Sequence, residues 1–121
     1  MKKVLLLDDN EDHLELLELV LGKKYATRSS SNIKDITVLI ADFEPDLIII
    51  DHFMGQHTAH SVLQSLQSEK TNTAIPFILF SGINDIEAKA AELGAINYIS
   101  KPSSIENIRK CVDDFFNYRS S

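Results

Sequence analysis

The feature that most constrains the fold is an alternation of strand-sized apolar runs with helical segments. Three runs are continuously apolar, at residues 4–7, 47–50 and 77–80, as expected for parallel strands that are buried on both faces. Two weaker strand candidates, at 25–29 and 97–100, are placed by their positions between helical segments. All of these runs are far too short to cross a bilayer, so the sequence predicts no transmembrane segment.

Between the runs, apolar residues recur at helical spacing, which predicts five amphipathic helices. Their apolar positions are Leu14, Leu17 and Leu21; Ile36, Leu39, Ile40 and Phe43; Val62, Leu63 and Leu66; Ala88, Ala91 and Leu93; and Ile105, Ile108, Val112, Phe115 and Phe116. Gly22 and Gly94 stand where left-handed C-caps are expected. Five strand–helix units are too few for an eight-fold barrel and favour an α/β fold with a doubly wound parallel sheet. Without a linker-like stretch, residues 1–121 are expected to form a single domain.

Composition excludes several classes of function. Twelve Lys and Arg against 18 Asp and Glu give a formal net charge of −6, which argues against direct nucleic-acid binding through phosphate neutralisation. The N-terminal MKKVLLL starts like a secretory signal, but Asp8 and Asp9 interrupt the apolar run. The single Cys111 has no internal disulfide partner and is predicted to be a small buried apolar residue. We therefore expect a cytoplasmic protein without a membrane anchor.

Polar residues follow the predicted strands where ligands gather in doubly wound sheets. They are Asp8 and Asp9 after the first run, Asp51 after the third, Ser81 after the fourth and Lys101 after the fifth. Carboxylates about 4 Å apart repel by about 4 kcal/mol at an effective dielectric near 20, so the cluster requires a cation. Hard oxygen ligands and a nearby lysine indicate Mg²⁺ and phosphoryl chemistry, with Asp51 as the nucleophile.

Each of these residues also has an ordinary structural interpretation. Asp8 and Asp9 alone are typical helix-capping residues, Asp51 and Ser81 typical turn residues, and Lys101 a typical solvated charge. Their joint occurrence at one end of consecutive strands is what favours a functional site.

Three histidines, His52, His57 and His60, invite a zinc or pH-sensing interpretation. Their spacing does not ensure a convergent geometry, and solvated loop residues are the simpler reading.

Four motifs carry a family resemblance: VLLLDDNEDHLELL, DLIIIDHFMG, PFILFSG and GAINYISKP. With them, the whole chain resembles the receiver domain of two-component response regulators. The resemblance implies a flavodoxin-like fold with strand order 2-1-3-4-5 and five helices. It also implies a signalling module, not an enzyme, that takes a phosphoryl group from a histidine kinase or a histidine phosphotransfer protein and signals to a downstream protein target.

The resemblance further implies roles for individual residues. Asp51 corresponds to the phosphorylated aspartate, Asp9 to the direct Mg²⁺ ligand with Asp8 beside it, and the Phe53 carbonyl to the backbone ligand. Ser81 corresponds to the switch hydroxyl, Lys101 to the phosphate-binding lysine, and Tyr98 to the switch aromatic. The sequence departs from the family pattern at Gly55, Thr58, Ala59 and Ser103, which affects the loop after Asp51 and the partner-facing surface.

Two other functions compete with this hypothesis. A flavodoxin-like cofactor binder shares the fold, but its first loop must attract phosphate, and the acidic residues after the first strand would repel it. A phosphorylation-independent interaction scaffold would keep the shape without the chemistry, and the intact acceptor constellation weighs against it.

Overall fold

The computed structural model describes residues 1–32, 34, 36–54, 57–58, 61–63 and 75–120. The strands are β1 (Lys3–Leu7), β2 (Ala26–Ser30), β3 (Leu47–Ile50), β4 (Phe53–Met54), β5 (His57–Thr58), β6 (Phe77–Ser81) and β7 (Asn97–Ser100). The helices are α1 (Glu11–Leu21), α2 (Ile36–Phe43), α3 (described over 61–63), α4 (Ile86–Leu93) and α5 (Ile105–Ser120).

Five strands form one parallel sheet in the order β2-β1-β3-β6-β7, and β4 and β5 form a separate antiparallel pair. Counted within the large sheet alone, this order is 2-1-3-4-5, and helical residues occur in five segments of the described chain. The predicted fold class is therefore confirmed. The chain leaves β1 toward β2 and later returns to the other side of β1 with β3, which places the topological switch point between β1 and β3.

Both faces of the sheet are buried, which explains why its central strands are continuously apolar. Val4 and Leu6 of β1 face one core with α1 and α5, whereas Leu5 and Leu7 face a second core with α2 and α4. Successive side chains of a strand point to opposite faces, so each central strand contributes to both cores. The two cores fix β1, β3 and β6 side by side and hence fix where their carboxyl ends lie.

The structure corrects four local predictions. The buried residues of α4 are Ile86 and Ala90, whereas Ala88 and Ala91, predicted for its apolar face, are exposed. Gly22 caps α1 in a right-handed conformation with φ −66°, whereas Gly94 caps α4 in the predicted left-handed conformation with φ 83°. Ile105, predicted to lie on the buried face of the last helix, is 44% exposed because α5 only begins there. The second strand begins one residue later than predicted, since Tyr25 packs instead against Phe116 with ring centroids 5.1 Å apart.

Some of the predicted positions lie outside the described residues. They are Leu66, predicted for the third helix, and Gly55 and Ala59, where the sequence departs from the family pattern.

Among the helices that are described, none combines the length and the apolar character needed to span a bilayer.

Candidate functional site

Strand pairing brings Asp8 and Asp51 next to each other. Leu7 pairs with Ile50 at the ends of β1 and β3, and the Asp51 amide donates a 3.0 Å hydrogen bond to the Leu7 carbonyl. The next residue of each strand is therefore an aspartate at the switch point. Asp8 is 1% exposed and Asp51 9% exposed, so both carboxylates are taken out of bulk water.

Lys101 joins the two aspartates from the end of β7. Its backbone amide donates to the Ser81 carbonyl over 2.9 Å, which ties the residue to the end of β6. Its ammonium donates to Asp8 Oδ2 over 2.8 Å and to Asp51 Oδ2 over 2.9 Å. The Nζ atom also lies 4.9 Å from the centroid of the Phe80 ring. One ammonium thus bridges two buried carboxylates and leaves one negative charge uncompensated among the three groups.

His13 is a member of this cluster that the sequence analysis did not single out. Its Nδ1 lies 2.7 Å from Lys101 Nζ and 3.4 Å from Asp8 Oδ2. Asn10 caps α1 by accepting from the amides of Asp12 and His13, and this cap aims the first turn of the helix at the strand ends. The sequence does hold a signal for it, because His13 lies only three residues beyond a capping asparagine that follows the acidic pair.

Burial raises the pKa of Asp8 above its ordinary value of 3.8. The hydrogen bonds from Lys101 and from the Asn10 amide, together with the charge of Lys101, oppose this rise, and the negative charge of Asp51 adds to it. Desolvation is the largest of these effects, so the ionised form of Asp8 is held at a cost in folding free energy.

Three other predicted site residues, Asp9, Phe53 and Ser81, lie near the carboxyl ends of the same strands. Asp9 and Phe53 are exposed, and the Phe53 ring packs edge-on against His52 at 4.5 Å. Ser81 is buried as the last residue of β6, beside Ser100 of β7. Ser81 is therefore adjacent to the attachment point of Lys101.

Tyr98 lies away from the carboxylates, on the edge strand β7, where it is 36% exposed. It borders a groove of about 640 Å³ together with α4 residues that include Ile86, Ala88 and Ala91. An aromatic at this position can change its burial without disturbing the central strands.

The donor set fits a divalent cation. Asp8, Asp51 and His13 each offer one ligand atom, and these atoms lie within 4.8 Å of one another. Carboxylate oxygens suit Mg²⁺, which takes few protein ligands and keeps several waters. The cluster can therefore hold a divalent cation.

The other sulfur and imidazole groups give no comparable cluster in the part of the chain that the structure describes. Cys111 is half-buried against the core, and burial followed by the charge of Asp114 raises the pKa of its thiol to about 11. This fits the predicted role as a small apolar residue. The side chain of His57 and the whole of His60 lie outside the described residues, so the zinc hypothesis stays untested.

The parallel sheet with order 2-1-3-4-5 and the acidic cluster at its switch point define a doubly wound α/β protein with a candidate cation site at the carboxyl ends of its strands. Comparison with known families is specific: the model of the response regulator receiver domain matches residues 4–113. The chain belongs to this family, the receiver domains of two-component systems.

Individual relatives agree with this assignment. The chain is 31% identical over 112 residues to the response regulator protein PilR of Pseudomonas aeruginosa, covering 92% of this chain and 25% of that protein. It is 27% identical over 122 residues to a probable C4-dicarboxylate response regulator, DctR, of Priestia megaterium, covering 96% of this chain and 52% of that protein. The chain thus spans a quarter to a half of the length of these two relatives.

Solved structures show the same fold. A two-component response regulator from Clostridium difficile superposes with a TM-score of 0.87 at 19% identity, covering 100% of both chains. The receiver domain of the Francisella response regulator 1452 gives a TM-score of 0.82 at 25% identity, also covering 100% of both chains.

Proposed function

We propose that this chain accepts a phosphoryl group on Asp51 from the phosphohistidine of a histidine kinase or histidine phosphotransfer protein. The observation that carries the proposal is the position of the Asp51 carboxylate at the switch point, where its Oδ2 accepts a 2.9 Å hydrogen bond from Lys101 Nζ. An oxygen of Asp51 attacks phosphorus, the P–O bond forms, and the P–N bond to the donor imidazole breaks. The bonding electron pair stays on the donor nitrogen, which leaves as a neutral or protonated imidazole.

The residues around Asp51 supply charge and orientation for this step. Lys101 donates to an oxygen of the transferring group. The groups that would hold Mg²⁺ are Asp8, Asp9, Asp51 and the Phe53 carbonyl. When bound, Mg²⁺ neutralises the negative charge that gathers between the carboxylates and the phosphoryl oxygens. The chain accepts the group and does not turn over a separate substrate, so we class it as a signalling module and not as an enzyme.

Phosphorylation is proposed to act on the surface formed by α4, β7 and α5. The phosphoryl group brings extra negative charge and three acceptor oxygens. The Ser81 hydroxyl donates to one of them, and its movement toward Asp51 makes room into which Tyr98 rotates. If the phosphorylated state favours this arrangement by about 1 to 3 kcal/mol, a selective partner binds it about 5 to 150 times more tightly.

The acidic composition supports a protein partner for that surface and not direct nucleic-acid contact. We also propose a cytoplasmic location for this chain, since its single cysteine, Cys111, fits a reducing compartment.

The first test is intact-mass analysis after incubation with acetyl phosphate and Mg²⁺. The wild type is expected to gain one phosphoryl group, and Asp51→Asn is expected to gain none. Glu87→Gln on α4 serves as a matched carboxylate control and is expected to label normally. Phosphorylation of Asp51→Asn without a shift of the label to a neighbouring carboxylate such as Asp9 would show that the assignment of Asp51 as the acceptor is wrong. No labelling of the wild type with any small-molecule donor would leave the phosphorylation-independent scaffold as the better description.

Two variants test the remaining roles. Asp9→Asn is expected to weaken Mg²⁺ binding, and binding equal to the wild type would remove Asp9 from the ligand set. Ser81→Ala is expected to keep some phosphorylation at Asp51 but to lose most of the NMR shift changes around Tyr98 when a phosphoryl mimic is added. Unchanged Tyr98 responses would contradict the switch.

A further inference from the structure

The ammonium of Lys101 has three hydrogen-bond acceptors, and one of them is His13. The distances from Nζ are 2.8 Å to Asp8 Oδ2, 2.9 Å to Asp51 Oδ2 and 2.7 Å to His13 Nδ1. A lysine ammonium carries three protons and no acceptor. The three neighbours therefore match its full donor capacity, and His13 Nδ1 can join this set only as an acceptor.

The position of His13 is fixed from two directions. At the start of α1, the His13 backbone amide donates a 3.3 Å hydrogen bond to Asn10 Oδ1, which fixes the backbone of His13. The imidazole ring also lies 6.3 Å from the Phe80 ring, centroid to centroid, and Lys101 Nζ lies over the same Phe80 ring. The His13 imidazole and the Lys101 ammonium thus both pack near the Phe80 ring, which keeps them next to each other.

The Lys101 ammonium lies where a cation would have to bind, within 2.9 Å of both Asp8 Oδ2 and Asp51 Oδ2. A divalent cation held by the same two carboxylates would lie close to this ammonium. The two positive charges would then repel unless Lys101 withdrew. Whatever stabilises the engaged lysine must therefore weaken cation binding, because such coupling is reciprocal.

We propose that His13 is a positioning residue for Lys101 that holds the ammonium on the two carboxylates and so weakens cation binding at this site. The inference rests on the proposed function, since it concerns the cation that serves phosphoryl acceptance. His13 is the one acceptor of the three that is not a carboxylate, so its removal loosens the lysine and leaves both carboxylates in place.

The test is a Mg²⁺ titration followed by backbone amide shifts at pH 8, on the full chain. In His13→Leu the lysine loses one of its three acceptors, and Mg²⁺ is expected to bind about three- to tenfold more tightly than in the wild type. In His13→Asn the Oδ1 atom, at the same number of bonds from Cα as Nδ1, restores an acceptor and is expected to restore the wild-type affinity.

His52→Leu is the matched control. It removes an imidazole next to Asp51 in sequence, whose ring packs on Phe53 and whose Nδ1 has no hydrogen-bond partner among the described residues. Its Mg²⁺ affinity is expected to equal that of the wild type. A merely structural effect of losing a nearby imidazole would appear in this variant as well.

Three results would overturn the proposal. Unchanged Mg²⁺ affinity in His13→Leu would show that the contact does not position Lys101, and weaker affinity would show that His13 is instead a cation ligand. If His13→Leu does not fold, the ¹⁵N shifts of the wild-type imidazole still decide: a protonated Nδ1 excludes the acceptor role, and an unprotonated Nδ1 supports it.

Failure of this inference is distinguishable from failure of the proposed function. Intact-mass analysis at saturating Mg²⁺ reports phosphorylation of Asp51 in every variant, independently of affinity. Normal labelling with an unchanged Mg²⁺ affinity refutes only the positioning role. Tighter Mg²⁺ binding by His13→Leu without any labelling supports the positioning role and refutes the acceptor chemistry.

Discussion

Replacing Asp8 with asparagine is expected to stabilise the fold at neutral pH. The Asp8 carboxylate lies 2.8 Å from Lys101 Nζ, an attraction of about 6 kcal/mol at an effective dielectric near 20. The Asp51 ligand atom lies no more than 4.8 Å away, a repulsion of about 3.5 kcal/mol or more on the same scale. The difference is smaller than the several kcal/mol that desolvation of a buried ion costs, in agreement with the raised pKa of Asp8.

We therefore expect Asp8→Asn to increase the free energy of unfolding at pH 7 by about 1 to 2 kcal/mol, a typical gain when functional strain is relieved. Because the folded-state pKa of Asp8 lies above the unfolded value of 3.8, the wild type loses stability relative to the variant as pH rises from 3.8 through that raised pKa. The difference in free energy of unfolding between the variant and the wild type should stay constant at higher pH. It should vanish below pH 3.8, where the Asp8 carboxyl is protonated in both the folded and the unfolded state.

Urea unfolding in EDTA, measured from pH 3.5 to pH 8, checks this expectation. Asp85→Asn is the control, because Asp85 is exposed and its side chain makes no capping hydrogen bond to α4. That variant should stay within about 0.5 kcal/mol of the wild type. A wild type more stable than Asp8→Asn at pH 7 would refute the reasoning, since it would mean that the Lys101 pair outweighs desolvation.

Three further changes have expected outcomes by the same unfolding assay. Lys101→Met should lower the free energy of unfolding by about 3 kcal/mol, because it leaves two buried carboxylates facing each other, and Mg²⁺ should restore part of the loss. The control Lys89→Met breaks only a surface ion pair and should change the free energy of unfolding by less than about 1 kcal/mol. Gly94→Ala should cost about 1 kcal/mol because φ is 83°, and Gly82→Ala, where an added Cβ meets nothing closer than 3.8 Å, should cost less. Ile49→Ala should cost about 2 to 5 kcal/mol by opening a cavity in a core position that is 1% exposed, and a loss below about 1 kcal/mol would contradict the two-sided core.

The sequence predicted the strands well where burial on both faces leaves an unmistakable pattern. The run at 47–50 coincides with β3, and the runs at 4–7 and 77–80 lie within β1 and β6. The weaker candidate at 97–100 also coincides with a strand, β7, but this edge strand is mostly exposed and was predicted from its position between helical segments. Helix ends were predicted less well, because a cap depends on where the next segment of chain goes. Gly22 shows this: its amide bonds to the Glu18 carbonyl over 2.8 Å in a right-handed conformation, and the chain then turns into Tyr25.

The sequence by itself determined the class of fold and the edge of the sheet at which polar residues gather, because strand period, helix period and strand ends are local properties of the chain. Only the tertiary structure decided which of those residues meet. Asp8 is buried and its neighbour Asp9 exposed, and the Lys101 ammonium reaches a histidine 88 residues away. Such contacts depend on how far each strand end and helix start projects once two cores have packed, and no local pattern encodes that distance.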